Sequence, residues 1–271
     1  MAPQKLVLTN HPLLMGILNV TPDSFSDGGK FIDAEIAVRH AQQMVADGAD
    51  IIDVGGESTR PGSDPVSVDE ELRRVLPVIR QLITKIKVPI SIDTMKPEVA
   101  DAAFEAGASM LNDVTGLRNE RMIEAAARHH VPVVIMHMLG TPKTMQANPS
   151  YDDVVMDVAQ YLRMQAEKAK AAGITQIIID PGIGFGKTVE QNLLLIKNIA
   201  TFKKLGYPVM MGVSRKSFIG KLTSVEDAGD RLSGTIAAVT VCVLNGADII
   251  RVHDVKECKR AVMVAGAIAS R

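Results

Sequence analysis

The run Ala247-Asp248-Ile249-Ile250-Arg251-Val252-His253-Asp254 near the end of this chain nearly repeats Ala49-Asp50-Ile51-Ile52-Asp53-Val54-Gly55-Gly56 near its start. Each follows a glycine, Gly246 or Gly48, that closes a helical pattern, and each passes from apolar residues directly into polar ones. Related units lie between them: Ala106-Gly107-Ala108-Ser109-Met110-Leu111-Asn112-Asp113, then Ile174-Thr175-Gln176-Ile177-Ile178-Ile179-Asp180 after Gly173. A helix that stops at glycine, followed by a short apolar strand ending in polar side chains, is the building unit of a parallel α/β protein. Such folds bind ligands at the carboxyl ends of their strands, so the repeat locates the active face.

Eight strands are predicted, at 13–20, 50–54, 88–93, 109–114, 131–137, 176–180, 208–214 and 248–253. Helical patterns follow each, at 33–46, 69–85, 97–106, 120–130, 151–172, 189–205, 231–245 and 255–270. Ser67-Val68-Asp69-Glu70 reads as a capping box, and Pro77 predicts a kink in the helix it opens. The 271 residues suit one (β/α)8 TIM barrel spanning 1–271, with no composition shift or linker to divide it. An open sheet of eight is the alternative. Polar residues at every strand end favour closure, because an open sheet gathers them at one switch point. Two long loops, 21–32 and 55–68, are rich in Gly, Ser, Asp and Pro and read as closing lids.

Hydrophobic residues make up 46% and charged ones 23%, enough for a packed core. The net charge of −1, without a basic run, excludes an extended nucleic-acid or membrane-surface footprint. No apolar stretch is long enough to span a bilayer, the N-terminus lacks a signal-type core, and two cysteines lack metal spacing; a reduced cytoplasmic protein is expected.

The strand ends carry Asn19, Asp53, Asp93, Asn112, His137, Asp180, Ser214 with Lys216, and Arg251 with His253. Any one such Asp or Asn can serve only to close hydrogen bonds at a barrel end. Their accumulation argues for a site that holds a planar, nitrogen-rich ring. A carboxylate such as Asp180 accepts two N–H donors, an amide such as Asn112 supplies donor and acceptor, and a guanidinium such as Arg251 stacks. Lys216, Arg251 and His253 are candidates for neutralising an oxyanion or phosphate. Pro181-Gly182-Ile183-Gly184-Phe185-Gly186-Lys187-Thr188 has the look of a phosphate loop, but Pro181 stands where its first glycine is needed; a tight glycine turn is expected.

Asn19-Val20-Thr21-Pro22-Asp23-Ser24-Phe25-Ser26-Asp27-Gly28-Gly29 and Asp53-Val54-Gly55-Gly56-Glu57-Ser58-Thr59-Arg60-Pro61-Gly62 resemble the two signatures of the dihydropteroate synthase family. Ser91-Ile92-Asp93-Thr94, Leu111-Asn112-Asp113-Val114, Asp180 to Thr188, Ser214-Arg215-Lys216-Ser217-Phe218 and Arg251-Val252-His253-Asp254 follow in the family's order. The resemblance covers essentially the whole chain and implies a (β/α)8 enzyme of folate biosynthesis, a homodimer and a Mg²⁺ cofactor. It implies joining (7,8-dihydropterin-6-yl)methyl diphosphate to 4-aminobenzoate, with Asp93, Lys216, Arg251, Thr59 and Arg60 carrying catalysis. The pterin would meet Asp93, Asn112, Met136, Asp180, Lys216 and Arg251. The diphosphate would meet Asn19, Thr59, Arg251, Val252 and His253, with Asn19 also ligating Mg²⁺. Arg60, Pro61, Phe185, Ser214 and Lys216 would line the aminobenzoate site. A related methyltransferase would not need a diphosphate site, and a non-catalytic pterin-binding subunit would have scrambled lids; the intact loop residues argue against both.

Overall fold

The computed structural model describes residues 6–9, 11–21, 30–60 and 62–269; Pro61 and most of the first long loop lie outside the described residues. Eight strands form one parallel sheet: β1 (Leu13–Asn19), β2 (Ile51–Gly55), β3 (Ile90–Asp93), β4 (Met110–Asp113), β5 (Val133–Met136), β6 (Ile177–Asp180), β7 (Met210–Met211) and β8 (Ile249–Val252). Among the described residues the helices are α1 (Lys30–Ala46), α2 (Val68–Lys85), α3 (Pro97–Glu105), α4 (Glu120–His129), α5 (Val154–Ala171), α6 (Val189–Lys197), α7 (Ile199–Lys203), α8 (Ser217–Thr223), α9 (Leu232–Leu244) and α10 (Val255–Ala269). Strand order runs β6-β5-β4-β3-β2-β1-β8-β7. A bridge from Ile179 to Val209 and a 2.9 Å bond from Ile179 N–H to the Pro208 carbonyl then bring β6 and β7 together and close the ring. The closed-barrel expectation holds.

Side chains alternate along a strand with period two, so in a barrel one set points inward and the other toward the helices. The outward set, including Ile52, Val54, Ile92, Leu111, Val133 and Ile179, joins the helices in the main core. The inward set divides by height. Its lower part is an apolar cluster built from Leu13, Met15, Ile51, Met110, Val134, Ile178, Met210 and Ile249. Two residues further along the same strands stand Asp53, Asn112, Met136, Asp180 and Arg251, with Asp93 in register beside Asn112. The barrel is therefore filled below and polar above.

Four expectations need correction. The predicted helix 189–205 is two helices: Asn198 leaves the helical conformation (φ −107°, ψ 27°) and caps α6, its N–H donating to the Leu194 and Leu195 carbonyls and its side chain also to Leu194 (2.8 Å). The predicted seventh strand shrinks to two residues: Pro208 has no N–H to give a ladder, and a turn from Lys216 N–H to the Val213 carbonyl already begins beyond it. The stretch 215–229, which lies between the predicted seventh strand and the helix predicted at 231–245, contains α8, whose seven residues are too few to show a periodic pattern. Ser67 caps α2 as expected, accepting from Glu70 N–H at 3.2 Å, but the Glu70 carboxylate turns to Arg73 and Arg74 and leaves the box half-made. A complete capping box forms instead between Thr188 and Gln191, and α2 runs unbroken through Pro77.

Phe202 on α7 is fully buried against the outer core. Phe202→Ala is expected to cost about 3–5 kcal/mol, read as a lower urea midpoint at unchanged slope; an unmoved midpoint would show that α7 is not part of the cooperative core.

Candidate active site

The inward polar positions open onto one mouth, because Asn19, Asp53, Asp93, Asn112, Asp180 and Arg251 share strand parity, as does the apolar Met136. At its centre Arg251, on β8, lies between two carboxylates: Nε donates to Asp53 Oδ2 (2.6 Å) and an Nη to Asp93 Oδ2 (2.6 Å). Asn112 Nδ2 donates to the same Asp53 oxygen at 2.9 Å. Asp53, for which the sequence suggested no particular role, is thus the hub that orients both Arg251 and Asn112. Its position two residues before Gly55, on the face of the other site residues, was the available signal.

The second oxygens of this cluster are orphans. Asp93 Oδ1, Asn112 Oδ1, Asp53 Oδ1 and Ser91 Oγ are buried without a hydrogen-bond partner among the described residues. Buried acceptors left free in this way are costly unless a ligand's N–H groups meet them. Asp180 differs: its Oδ1 accepts from Gly182 N–H at 2.7 Å.

Burial sets the electrostatics. It pushes the Asp93 carboxyl up to about 7; Arg251 pulls the other way, and Asp53, Glu71 and Asp113 add to the rise. Asp180 is raised by burial against the pull of Gly182 N–H and Lys216. Burial also works against the Arg251 charge, but Asp53 and Asp93 outweigh it and hold the guanidinium protonated. Lys216 comes down to about 8, through burial and then repulsion by Arg251, with Asp180 and Asp93 opposing. The same field reaches Arg60, whose charge acts on both Lys216 and His253.

Around this cluster stand the rim residues. Lys216 Nζ sits 4.1 Å from the Phe185 ring centroid, over its face. Phe185 and Met95 pack against an apolar patch of Met136, Met138, Met145 and Val114. Ser214 Oγ lies 3.0 Å from His253 Nδ1 and accepts from His253 N–H at 3.2 Å. Asn19 ends β1, beside Gly55. Thr59 is half-buried and Arg60 exposed on the loop after β2. The root of that loop is fixed: Lys96 joins Glu57 to the fully buried Glu71, Glu57 accepts from Val66 N–H (3.3 Å), and Arg74 donates to the Gly56 carbonyl (2.8 Å).

Three sequence assignments change. His253 is not a resting cation, since burial and then the Arg251 and Arg215 charges bring it down to about 3. It can offer a hydrogen bond but not charge. The Val252 side chain has outward parity and lies in the main core, leaving only its main chain to face a ligand. His137 also has outward parity, packing edge-on to Tyr161 at 5.0 Å rather than joining the mouth. No group of three metal-binding side chains is found among the described residues. Cys242 and Cys258 are buried and free, and burial pushes Cys258 up to about 12, so neither supplies a thiolate.

His137 is lowered to about 2, by burial and then by Lys187. With His253 near 3, the unfolded chain binds protons at these positions from pH 6.5 downward while the folded protein does not. Stability from these groups is therefore full above pH 6.5 and lost as pH falls toward about 3. Chemical denaturation across this window should show stability falling on acidification, and a His137→Gln/His253→Gln pair should flatten the slope; an unchanged slope would contradict the neutral assignment.

Residues 15–253 match the family described as pterin binding enzyme. The dihydropteroate synthase of Escherichia coli strain K12 is 48% identical over 263 residues, covering 96% of this chain and 93% of that protein. The Xanthomonas albilineans dihydropteroate synthase solved with 4-aminobenzoic acid superimposes with a TM-score of 0.91 at 46% identity, covering 96% of this chain and 94% of that one. A Xanthomonas albilineans dihydropteroate synthase in complex with 7,8-dihydropteroate gives 0.88 at 43% identity, covering 97% and 96%.

Proposed function

Because this chain belongs to the pterin binding enzymes, and within them to the dihydropteroate synthases, we propose that its barrel mouth is a single two-substrate pocket with the roles set out below. The reaction joins (7,8-dihydropterin-6-yl)methyl diphosphate to 4-aminobenzoate, giving 7,8-dihydropteroate and diphosphate in folate biosynthesis. The carrying observation is the convergence of Asp93, Asn112, Asp180, Lys216 and Arg251 on one mouth, with Asp93 Oδ1 and Asn112 Oδ1 buried and without partners among the described residues.

In this reading the N–H donors of the pterin meet Asp180, Asn112 and Asp93, and Met136 packs on the ring. Arg251 lies along the pterin face, held there by Asp53 and Asp93. The diphosphate sits among Asn19, Thr59, Arg251 and the main chain at Val252 and His253. The aminobenzoate enters between Phe185, Lys216, Ser214, Arg60 and Pro61. The carbon–oxygen bond to diphosphate breaks with its electron pair leaving on the diphosphate. The pterin methylene cation left behind is stabilised by the carboxylates of Asp93 and Asp180. The arylamine lone pair then forms the carbon–nitrogen bond and the nitrogen loses a proton. The chemistry requires no activated side-chain nucleophile, because positioning and preorganised charge supply the acceleration.

Asn19 offers one hard oxygen, which fits a Mg²⁺ that takes its other ligands from substrate phosphate and water. When bound, the ion would neutralise charge building on the departing diphosphate. We also propose a homodimer. Leu194, Val241, Leu244, Met263, Val264 and Ile268 are exposed apolar residues on α6, α9 and α10, and α9 packs against both of the others. A cytoplasmic location is supported by two free, buried thiols and by the finding that no helix among the described residues is long and apolar enough to cross a membrane.

Diphosphate release should require both the pterin diphosphate and 4-aminobenzoate, stop on chelation with EDTA and return with Mg²⁺; release that survives chelation would remove the metal from the scheme. Asp180→Asn keeps the acceptor for Gly182 N–H but loses the carboxylate. Calorimetry should show pterin affinity about 10- to 100-fold weaker, from ~1.5–3 kcal/mol of charge-assisted hydrogen bonding; unchanged affinity would refute the role.

A further inference from the structure

The turn between β6 and α6 carries the lysine of the phosphate-loop lookalike, and that lysine does not face the mouth. Lys187 is 3% exposed. Its Nζ donates to the carbonyls of Gly182 (2.9 Å), Phe185 (3.0 Å) and His137 (3.1 Å), and lies 3.0 Å from His137 Nδ1. Two of these carbonyls belong to the turn itself and the third to the end of β5. One amino group, whose pKa burial brings well below the ordinary lysine value, thus acts as the internal donor around which the turn is wound. A methionine side chain could not replace it, because a thioether has no N–H to give. The His137 ring, brought down to about 2 mainly by burial, keeps Nδ1 available as an acceptor.

The turn has little freedom to relax. Gly182 has φ +72°, and a Cβ there would come within 1.9 Å of the His137 carbonyl oxygen, so only glycine allows the chain to pass this close to β5. Other side chains brace the neighbouring peptides: Asn192 accepts from Gly184 N–H (2.7 Å), and Tyr151 donates to the Gly186 carbonyl (2.8 Å). Phe185 stands between these fixed points, and its ring is what Lys216 Nζ rests on.

We propose that Lys187 is a positioning residue for 4-aminobenzoate: by gathering the Gly182, Phe185 and His137 carbonyls it holds the Phe185 ring under Lys216 and so shapes the aminobenzoate side of the pocket. This rests on the reading that Phe185 lines that side. Removing the Lys187 amino group strands buried carbonyls and loosens the turn; the pterin-facing residues on β2, β3, β4 and β8 make no hydrogen bond to that turn, and Asp180 on β6 is tied to it through Gly182 N–H.

The test compares Lys187→Met, Phe185→Ala and the double variant by steady-state kinetics and by amide hydrogen exchange of the 182–187 segment. Lys187→Met is expected to raise KM for 4-aminobenzoate about tenfold, with kcat and KM for the pterin diphosphate within about threefold, and to speed exchange in that segment about tenfold. The double variant is expected to match Phe185→Ala in KM, since Lys187 acts through that ring. If Phe185→Ala raises the aminobenzoate KM but Lys187→Met does not, the positioning role is overturned and the pocket reading stands. If Phe185→Ala leaves it unmoved, the pocket reading fails at this residue and the proposal with it. Additive effects in the double variant, or a parallel loss in both KM values, would also overturn it. Should Lys187→Met not fold, Lys187→Gln, which keeps two donors, carries the same comparison with a smaller expected shift.

Discussion

A guanidinium held between two carboxylates allows the upper barrel to contain charge at all. Arg251 lies between Asp53 and Asp93, and all three are carried on strands whose lower residues form a dry apolar plug. Ionised groups in such a setting are expensive unless paired and hydrogen-bonded. The pairing is incomplete, because Asp53 and Asp93 each keep one buried oxygen without a partner among the described residues. A site that must grip a ring rich in N–H groups needs acceptors that the protein itself has not satisfied.

Burial opposes charge on Lys216 and His253, while the partners of Arg251 keep it cationic. The mouth therefore presents one firmly fixed positive charge beside acidic groups, which in the proposed reaction would favour a cationic intermediate. Around it, the loops are anchored by buried polar struts: Lys96 between Glu57 and Glu71 under the second loop, and Lys187 inside the sixth. Loops built this way can shape a pocket as sharply as strands do.

Much of this was legible before any coordinates. The glycine-ended repeat predicted eight parallel strands, and strand ends named a polar set of which His137 alone turns away from the mouth. Those readings survive because period two and chain order are local properties, which tertiary packing can trim but not reverse. Failures cluster where one side chain chose between local partners. Asn198 capped α6 with its own amide and split a predicted helix, and Glu70 preferred two arginines to its own cap. The two-residue β7 and the seven-residue α8 fell below the length at which periodicity speaks.

The amino-acid order by itself determined which residues share the inner face of the barrel and which strand ends would be polar, since alternation follows from backbone geometry alone. Only the tertiary structure decided that Asp53 would orient Arg251 and Asn112, that His253 would rest neutral, and that Lys187 would turn inward to its own loop. Those outcomes depend on burial and on partners as far as 198 positions away in the chain, and neither dielectric nor distance is written in a linear pattern.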